Sequence, residues 1–365
     1  MLRPIPMTTS NRFTQLLATR PWLLADGATG SNLFDMGLMS GDAPELWNTE
    51  HPDRITKLHQ SFVDAGADII LTNTFGGTQY RLKLHKAQDR VAELNTAAAR
   101  LARAVADASG RTVVVAGSIG PTGEIMEPIG PLTKAQAQEA FAEQARALAA
   151  GGADVMWIET MSSREEVEAA VAGAGSVGLP VVCTLSFDTN GRSMMGISPS
   201  DFSEIEKSLS PRLAACGSNC GVGPSELLAS IVNLATAADP TAVLVAKGNC
   251  GIPQYVDGAI QYNGTPELMA TYACMAFDAG ARIIGGCCGT TPEHLKAMRE
   301  ALEHHTRGER PDAAAIESRL GTISTGARAQ LRGLMDRASG AAPGSTGRRG
   351  TGRRGATRGD ETADT

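Results

Sequence analysis

The feature that most constrains the fold is a regular alternation of short apolar runs with amphipathic stretches. The apolar runs show no strict alternation with polar residues, which is typical of parallel strands covered on both faces. They occupy residues 22–25, 68–72, 112–118, 154–159, 180–187, 212–219, 241–247 and 281–286. Eight such strands in βα alternation over roughly 300 residues predict an α/β fold, the (β/α)8 or TIM barrel.

Helical candidates separate the strands, and several carry the usual signals at their ends. Pro52 stands at a first helical position, and Gly66, Gly151 and Gly280 closely follow predicted helices. The predicted helices cover 52–65, 88–108, 134–150, 163–174, 198–208, 224–238, 265–279 and 292–304. An open, doubly wound sheet is the competing layout. Against it, the segment ADGATGSN after the first run lacks, in register, the third glycine of a dinucleotide-binding fingerprint.

The remaining segments precede and follow the predicted barrel. We predict an N-terminal extension over 1–20, the barrel over 21–305, a helical extension over 306–339 and a disordered tail over 340–365. The tail is rich in Gly and Arg and, one proline aside, has no apolar residue larger than alanine, so it has nothing to bury. Its RG repeats could contact RNA or a phosphate-rich partner, but we favour a solvated tail.

Charge and cysteine content narrow the class of protein. The net charge of −6 argues against a general nucleic-acid or anionic-membrane surface. No apolar run approaches the ~20 residues that span a bilayer, and the N-terminus lacks the apolar core of a signal peptide. Seven cysteines, two of them adjacent, do not suggest a disulfide framework. We therefore expect a reducing, cytoplasmic setting in which some thiols bind metal.

Three cysteines are the strongest candidates for metal ligands. The active site of a (β/α)8 barrel is built at the C-terminal ends of the strands. Cys220 follows the sixth predicted strand, and Cys287 and Cys288 follow the eighth, so their thiols should meet on one face. Three thiolates suit zinc and leave one coordination position open for a substrate. The glycines of the GGCCG segment would let both adjacent thiols face one ion; alternatively, the pair is simply small and buried.

Several segments together resemble the homocysteine S-methyltransferase family. They are DGATGSNL (26–33), LTNTFGG (71–77), GSIGPTGE (117–124), WIET (157–160), SNCGVGP (218–224) and GGCCGTTPEH (285–294). The resemblance extends over the whole predicted barrel. It implies a (β/α)8 fold, methyl transfer to the thiol of homocysteine, and Zn²⁺ ligands at Cys220, Cys287 and Cys288.

The resemblance also implies how the substrate is held. It places Asp26 and Glu159 near the ammonium group of homocysteine, which needs an anion. Backbone N–H groups of Gly27 and Ala28, at the turn into the next helix, could hold the carboxylate. Asp26 could also serve as a helix N-cap, which is compatible with that role.

Other candidate ligands receive simpler interpretations. Cys183, Cys216 and Cys274 are predicted to pack in the core. Cys250 follows the seventh strand on the catalytic face, and its approach to the zinc is left open. His294 lies in the first turn of the last predicted helix, where we favour a surface residue over a ligand.

The methyl donor is left open by the sequence. Members of the family use betaine, S-methylmethionine or a methylated corrinoid. A quaternary ammonium calls for an aromatic cage, yet Gly76 and Thr160 stand where betaine-type relatives carry aromatic residues. We predict a zinc-dependent homocysteine S-methyltransferase that makes methionine, with betaine as one donor to consider. The alternatives are S-methylmethionine, or a role as the homocysteine-activating subunit of a split cobalamin-dependent methionine synthase.

The last alternative implies a partner. A chain of 365 residues has no room for corrinoid or folate modules, so a separate corrinoid protein would be required. Two hypotheses of other kinds remain: a phosphate-binding barrel enzyme, and a non-catalytic zinc-binding scaffold. The oligomeric state is left open.

Overall fold

A computed structural model of the protein describes residues 11–256 and 259–334, and within them eight parallel strands form one sheet. The strands are β1 (Leu23–Leu24), β2 (Ile69–Leu71), β3 (Val114–Ile119), β4 (Val155–Met161), β5 (Val181–Leu185), β6 (Ala215–Cys220), β7 (Leu244–Gly248) and β10 (Ala281–Gly286). Their order is β1-β10-β7-β6-β5-β4-β3-β2, and a parallel bridge between Ala25 and Ile69 joins the two ends. The (β/α)8 barrel is confirmed.

Helices cover the outside of this barrel. The eight that follow the strands in the predicted pattern are α4 (Pro52–Asp64), α6 (Val91–Ala108), α7 (Lys134–Gly151), α8 (Arg164–Gly175), α9 (Pro199–Ser208), α10 (Pro224–Ala237), α11 (Pro266–Asp278) and α12 (Pro292–His304). Local chemistry sets their ends. A reciprocal capping box of Thr133 and Gln136 begins α7, and Gly152, with φ of +101°, ends it.

Shorter elements lie in the loops and beyond the barrel. They are α1 (Arg12–Thr19), α2 (Gly30–Asp35), α3 (Trp47–Glu50), α5 (Gln79–Leu82), α13 (Ala313–Leu320) and α14 (Thr325–Leu331). An antiparallel hairpin of β8 (Pro253–Val256) and β9 (Ala259–Tyr262) follows β7. The sequence did not predict this hairpin, because each strand has only four residues and the pair lies outside the βα alternation.

Helix α1 closes the amino-terminal end of the barrel. Its buried residues Phe13 and Leu16 pack in one cluster with inward-facing residues from all eight barrel strands. The Asn11 side chain caps the helix and also donates to Asp154 O at 2.7 Å, and Arg12 pairs with the Asp154 carboxylate. The predicted N-terminal extension therefore contains a helix that fills the bottom of the barrel.

Helices α13 and α14 pack against α10 within the predicted helical extension. Ser324 N–H donates to Glu226, and Asn190 Oδ1 accepts the Gly326 N–H at 2.7 Å. Residues 335–339 of that extension, the predicted tail 340–365 and residues 1–10 lie outside the described residues. Across the described ranges, we find no helix with the length and apolarity that crossing a membrane requires.

Candidate metal centre and substrate cavity

A cavity of about 350 Å³ opens at the carboxyl ends of the barrel strands. The sequence predicts seven site residues, and the structure adds Lys247 to them. All of these eight residues except Asp26 line the inner wall of the cavity. The inner lining comprises Gly27, Ala28, Glu159, Cys220, Lys247, Cys287 and Cys288. Residues that are far apart in the sequence but follow the barrel strands therefore lie in one cavity, as expected for this fold.

The three predicted thiols form one cluster. Their sulfur atoms lie within 4.8 Å of one another, and the Cys220 and Cys288 sulfurs are 3.9 Å apart. Cys220, the last residue of β6, has φ of +63°, a left-handed conformation that is costly for a residue other than glycine. Gly289 has φ of +79°, and a Cβ there would lie 2.3 Å from Tyr262. This local backbone lets three thiols face one point where a metal ion could bind.

Neighbouring side chains hold the cluster in place. Asn249 accepts the Cys288 N–H at 3.0 Å and donates to Gly221 O at 2.5 Å, so it ties together the loops that follow β6 and β10. Asn219 Nδ2 lies 3.9 Å from the Cys287 sulfur, and the Tyr262 side chain lies near enough to Cys288 to affect the pKa of that thiol. Sequence reasoning missed Tyr262, which reaches the site only because of the hairpin.

Without a cation, the electrostatic setting of the three thiols keeps them protonated. Their mutual hydrogen bonds act on each pKa in both directions, and together with burial they raise the pKa of Cys220 and of Cys288 to about 12. A divalent cation among the thiols would reverse this effect, because it stabilises the thiolates.

Glu159 presents a carboxylate to the same cavity. It lies in β4, and its Oε1 accepts a 2.5 Å hydrogen bond from Ser118 Oγ. The residue is 7% exposed. Burial raises the pKa of Glu159, while the nearby Lys247 and the Ser118 bond oppose that rise. Its charge is therefore poorly solvated, which favours pairing with a cation.

Asp26 is paired with a lysine that the sequence did not single out as a site residue. Lys247 Nζ donates to Asp26 Oδ1 at 2.7 Å, and Asp26 Oδ2 accepts the Leu71 N–H at 2.7 Å. Both side chains are buried. Both Asp26 oxygens are thus engaged. No helix-cap bond from Asp26 is seen; its partners are Lys247 and β2.

The turn after β1 packs tightly against the loop after β10. A Cβ on Gly27 would lie 2.6 Å from Thr290 O, so only glycine fits there. The Ala28 N–H donates to Thr290 O at 3.1 Å. Of the two N–H groups that we expected to hold a carboxylate, the one at Ala28 therefore already has an acceptor.

The outer part of the cavity carries charges of both signs. Glu45 is buried, and its Oε1 accepts the Gly76 N–H at 2.6 Å; burial raises the pKa of Glu45. Asp42, Arg81 and His85 also line this part, together with the half-exposed ring of Phe75. This arrangement suits a small ligand that carries both a positive and a negative group.

The remaining candidates stand apart from the cluster. Cys250 is fully buried, and its thiol donates to Gly264 O at 3.4 Å, so it is not part of the three-thiol group. Cys183 and Cys216 are buried, and Cys274 is half-buried. His294 is half-buried and belongs to the capping box of α12, where Nδ1 contacts Thr291 Oγ1 at 2.7 Å. It therefore has a structural role.

The homocysteine S-methyltransferase family profile matches residues 23–302. The chain belongs to the homocysteine S-methyltransferase family. The resemblance inferred from the motifs is thereby confirmed, and membership indicates a methyltransferase.

The chain is similar both to methionine synthases and to a homocysteine methyltransferase of known structure. The methionine synthases of Mycobacterium tuberculosis and Mycobacterium leprae are 30% and 29% identical over 309 and 310 residues, which is 79% of this chain. The chain spans about a quarter of the length of these relatives. The metallated form of the Escherichia coli homocysteine methyltransferase MmuM matches with 25% identity and a TM-score of 0.66, over 80% of this chain and 99% of that one.

Proposed function

We propose that this protein transfers a methyl group to the thiol of homocysteine and so makes methionine, using a zinc ion held by Cys220, Cys287 and Cys288. The observation that carries the proposal is the three-thiol cluster in a cavity that also presents the buried carboxylate of Glu159. Family membership and the similarity to methionine synthases support the same reaction.

The donor set fits zinc. Zinc–sulfur bonds of about 2.3 Å in a tetrahedral site place sulfurs about 3.8 Å apart, and the Cys220 and Cys288 sulfurs are 3.9 Å apart. Three protein ligands leave a fourth position for the substrate thiol. When bound, zinc would keep that thiol ionised at neutral pH, which makes it a better nucleophile.

The protein groups around the cluster would orient the substrate. Glu159 is the acid available to the homocysteine ammonium, because both oxygens of Asp26 are engaged by Lys247 and Leu71. Ser118 fixes one Glu159 oxygen, so the other can face the ligand. Asn219 Nδ2 lies 3.9 Å from the Cys287 sulfur and would help to orient that thiol, with the Tyr262 side chain beside Cys288.

The outer cavity favours a small donor that carries both an onium group and a carboxylate. Asp42 and Glu45 would face the methylated cation, and Arg81 and His85 the carboxylate. Betaine and S-methylmethionine both have these two charges. Phe75 alone, of the cavity-lining residues in the described ranges, offers a carbocyclic aromatic face, so carboxylates rather than an aromatic cage would hold the cation.

A second candidate is methyl transfer from a carrier protein. Large exposed apolar side chains stand on the loops that follow β1, β2, β3 and β5, at the same end of the barrel as the cavity: Met39, Leu84, Ile125, Ile129, Met194 and Met195. Exposed apolar groups around the entrance to a site suit a protein partner. A separate methylated corrinoid protein is the partner in question, since a methylated corrinoid is one of the donors that the family resemblance implies.

One experiment tests the reaction and separates the donors. Zinc-loaded protein and homocysteine are incubated in separate arms with betaine, S-methylmethionine and a methylated corrinoid protein, and methionine is measured by mass spectrometry. We expect methionine in at least one arm and none with the Cys288→Ser protein. Absence of methionine in every arm, together with absence of homocysteine binding, would overturn the proposal.

A further inference from the structure

The helical extension that follows the barrel reaches the segment that carries Cys220. Helices α13 and α14 pack against α10, and Ile316, Leu320 and Ile323 of the extension are buried in the main hydrophobic core. The extension lies beyond residues 23–302, the part of the chain that the family profile matches. Between its two helices, residues 321–324 contact the first turn of α10, which begins shortly after Cys220. The extension can therefore influence the thiol cluster without lining the cavity.

Three hydrogen bonds join residues 321–324 to the first turn of α10. The Ser324 N–H donates to Glu226 Oε1, and the Ser324 hydroxyl donates to Glu226 Oε2 at 3.3 Å. Ser225 Oγ donates to Thr322 O at 3.0 Å. Glu226 is 7% exposed, and among the described residues Ser324 provides the only hydrogen bonds to its carboxylate. Because a buried carboxylate without hydrogen bonds is unfavourable, these bonds hold the turn of α10 and the extension together.

The four residues from Cys220 to Gly223 connect the thiol cluster to that turn, and their backbone does not fix its own direction. Cys220, Gly221 and Gly223 have φ of +63°, +85° and +129°. A left-handed φ is costly for cysteine, and glycine has many other conformations open to it. Val222 is 40% exposed, so it adds little packing. The direction of the Cys220 thiol must therefore be set by the contacts that hold this segment.

Three such contacts are present. Strand β6 holds the start of the segment, and Asn249 Nδ2 donates to Gly221 O at 2.5 Å near its middle. The end of the segment is the start of α10, where Ser324 binds Glu226. Side chains that hold metal ligands in place contribute to metal affinity, and their loss typically weakens binding about 10- to 100-fold. The bond between Glu226 and Ser324 is placed to have this effect on Cys220.

We propose that Glu226 is a positioning residue for Cys220: by binding Ser324 of the extension, it fixes the first turn of α10 and thereby the direction of the thiol. This inference rests on the proposed function, because it requires a metal ion at the three thiols. It gives residues 321–324, which lie outside the part matched by the family profile, a role in metal binding.

Metal affinity and stability, measured separately on matched variants, test this proposal. Glu226→Ala removes both acceptors of Ser324, whereas Glu226→Gln retains one for its N–H. Asn190→Gly is the control. Asn190 Oδ1 accepts the Gly326 N–H at 2.7 Å and so holds the extension to a different loop, and glycine adopts the Asn190 φ of +53° without strain. The dissociation constant of cobalt(II) is measured by titration at the thiolate charge-transfer band, and urea unfolding of the metal-free proteins gives their stability.

We expect the two sites of contact to differ in their effect on the metal. Glu226→Ala should weaken cobalt(II) binding about 10-fold, since Cys220 loses its fixed direction, and Glu226→Gln should restore most of that affinity. Asn190→Gly should lower stability but leave cobalt(II) affinity unchanged. Wild-type affinity in Glu226→Ala, or equal weakening in Asn190→Gly, would overturn the proposal and leave Glu226 a purely structural residue.

A second pair of variants decides the question if Glu226→Ala does not fold. Ser324 has φ of −64°, which proline adopts, so Ser324→Pro removes the N–H that Glu226 accepts. Ser324→Ala keeps that N–H, and both variants lose the hydroxyl that caps α14. Cobalt(II) should bind about 10-fold more weakly to Ser324→Pro than to Ser324→Ala, and equal affinities would overturn the proposal. A wild-type protein that binds no cobalt(II) would instead refute the proposed function, and this inference with it.

Discussion

The side-chain amide of Asn219 is hydrogen-bonded to Thr160 at two points. Its oxygen accepts the Thr160 N–H at 2.8 Å, and its nitrogen donates to Thr160 Oγ1 at 2.7 Å. Thr160 has φ of +63°, a conformation that costs a residue other than glycine on the order of 1 kcal/mol or more. Asn219 thus stabilises the strained backbone directly after Glu159 and, through its contact with Cys287, joins the substrate side of the cavity to the thiol cluster.

Replacing Asn219 by Ala should therefore affect both stability and ligand binding. We expect the free energy of unfolding to fall by about 1–3 kcal/mol, the cost of leaving a buried polar group without its partner. Homocysteine affinity should fall as well, because Glu159 loses its fixed position. Urea unfolding and calorimetry measure the two effects. Thr184→Val is the matched control, since it removes only one bond to the same amide oxygen.

Metal binding should depend on Cys220, Cys287 and Cys288 and not on Cys250, which follows β7 at the same end of the barrel. Changing Cys220, Cys287 or Cys288 to Ser should abolish tight binding of about one ion per chain, since three protein ligands are the least that such sites use. Cobalt(II) substitution reports this through thiolate charge-transfer absorption. Cys250→Ala is the control, because that thiol is buried outside the cluster. Retention of the cobalt signal in Cys287→Ser would contradict the assignment.

Stability should fall between neutral and mildly acidic pH because of His59. This residue is 1% exposed and its Nε2 has no partner, and burial lowers its pKa from the ordinary 6.5 to about 4. Below pH 6.5 the unfolded chain takes up a proton that the folded protein does not, so stability decreases as pH falls from 6.5 to about 4. The total loss is roughly 3 kcal/mol.

Unfolding curves recorded across that pH range test the role of His59. His59→Leu should reduce the dependence on pH by about one proton. Leu58→Met, a change of similar size at the neighbouring buried position, should shift stability by the same amount at every pH. An unchanged slope in His59→Leu would mean that another group is responsible.

The packing of helix α1 against the amino-terminal end of the barrel should contribute substantially to the free energy of unfolding. Phe13 is fully buried among inward-facing residues of the barrel strands. Phe13→Ala should lower the free energy of unfolding by about 3–5 kcal/mol, the usual range for loss of a buried aromatic ring. Thr14→Ala, on the exposed side of the same helix, should cost less than ~1 kcal/mol. Equal effects in the two variants would show that α1 is only loosely attached.

The barrel itself could be predicted because its signals are local and repeated. Each strand is a short buried run, and each helix has a cap, a proline or a glycine at its end. The alternation of strands and helices can therefore be predicted without tertiary information. The thiol cluster was also accessible, because the strand-end rule brings Cys220 and the adjacent pair Cys287 and Cys288 to one face.

Lys247 and helix α1 were missed for a common physical reason. A lysine at the end of an apolar run resembles an ordinary solvated strand end, and its partner Asp26 is 221 residues away along the chain. Helix α1 has only eight residues, and its two buried side chains pack against residues from all the barrel strands. Its role therefore cannot be predicted from its own sequence. Both features depend on contacts that exist only once the barrel is closed.

Helix α1 also has a consequence for the order in which the chain can fold. Phe13 precedes every barrel strand along the chain, yet the ring of strands that receives it is completed by Ile283 of β10, and β1 itself pairs with that last strand. Until nearly the whole barrel has been synthesised, the aromatic ring has no place to go. The contacts of α1 are therefore among the most distant in sequence that the barrel makes, and contacts of this kind form late because closing a long loop costs conformational entropy.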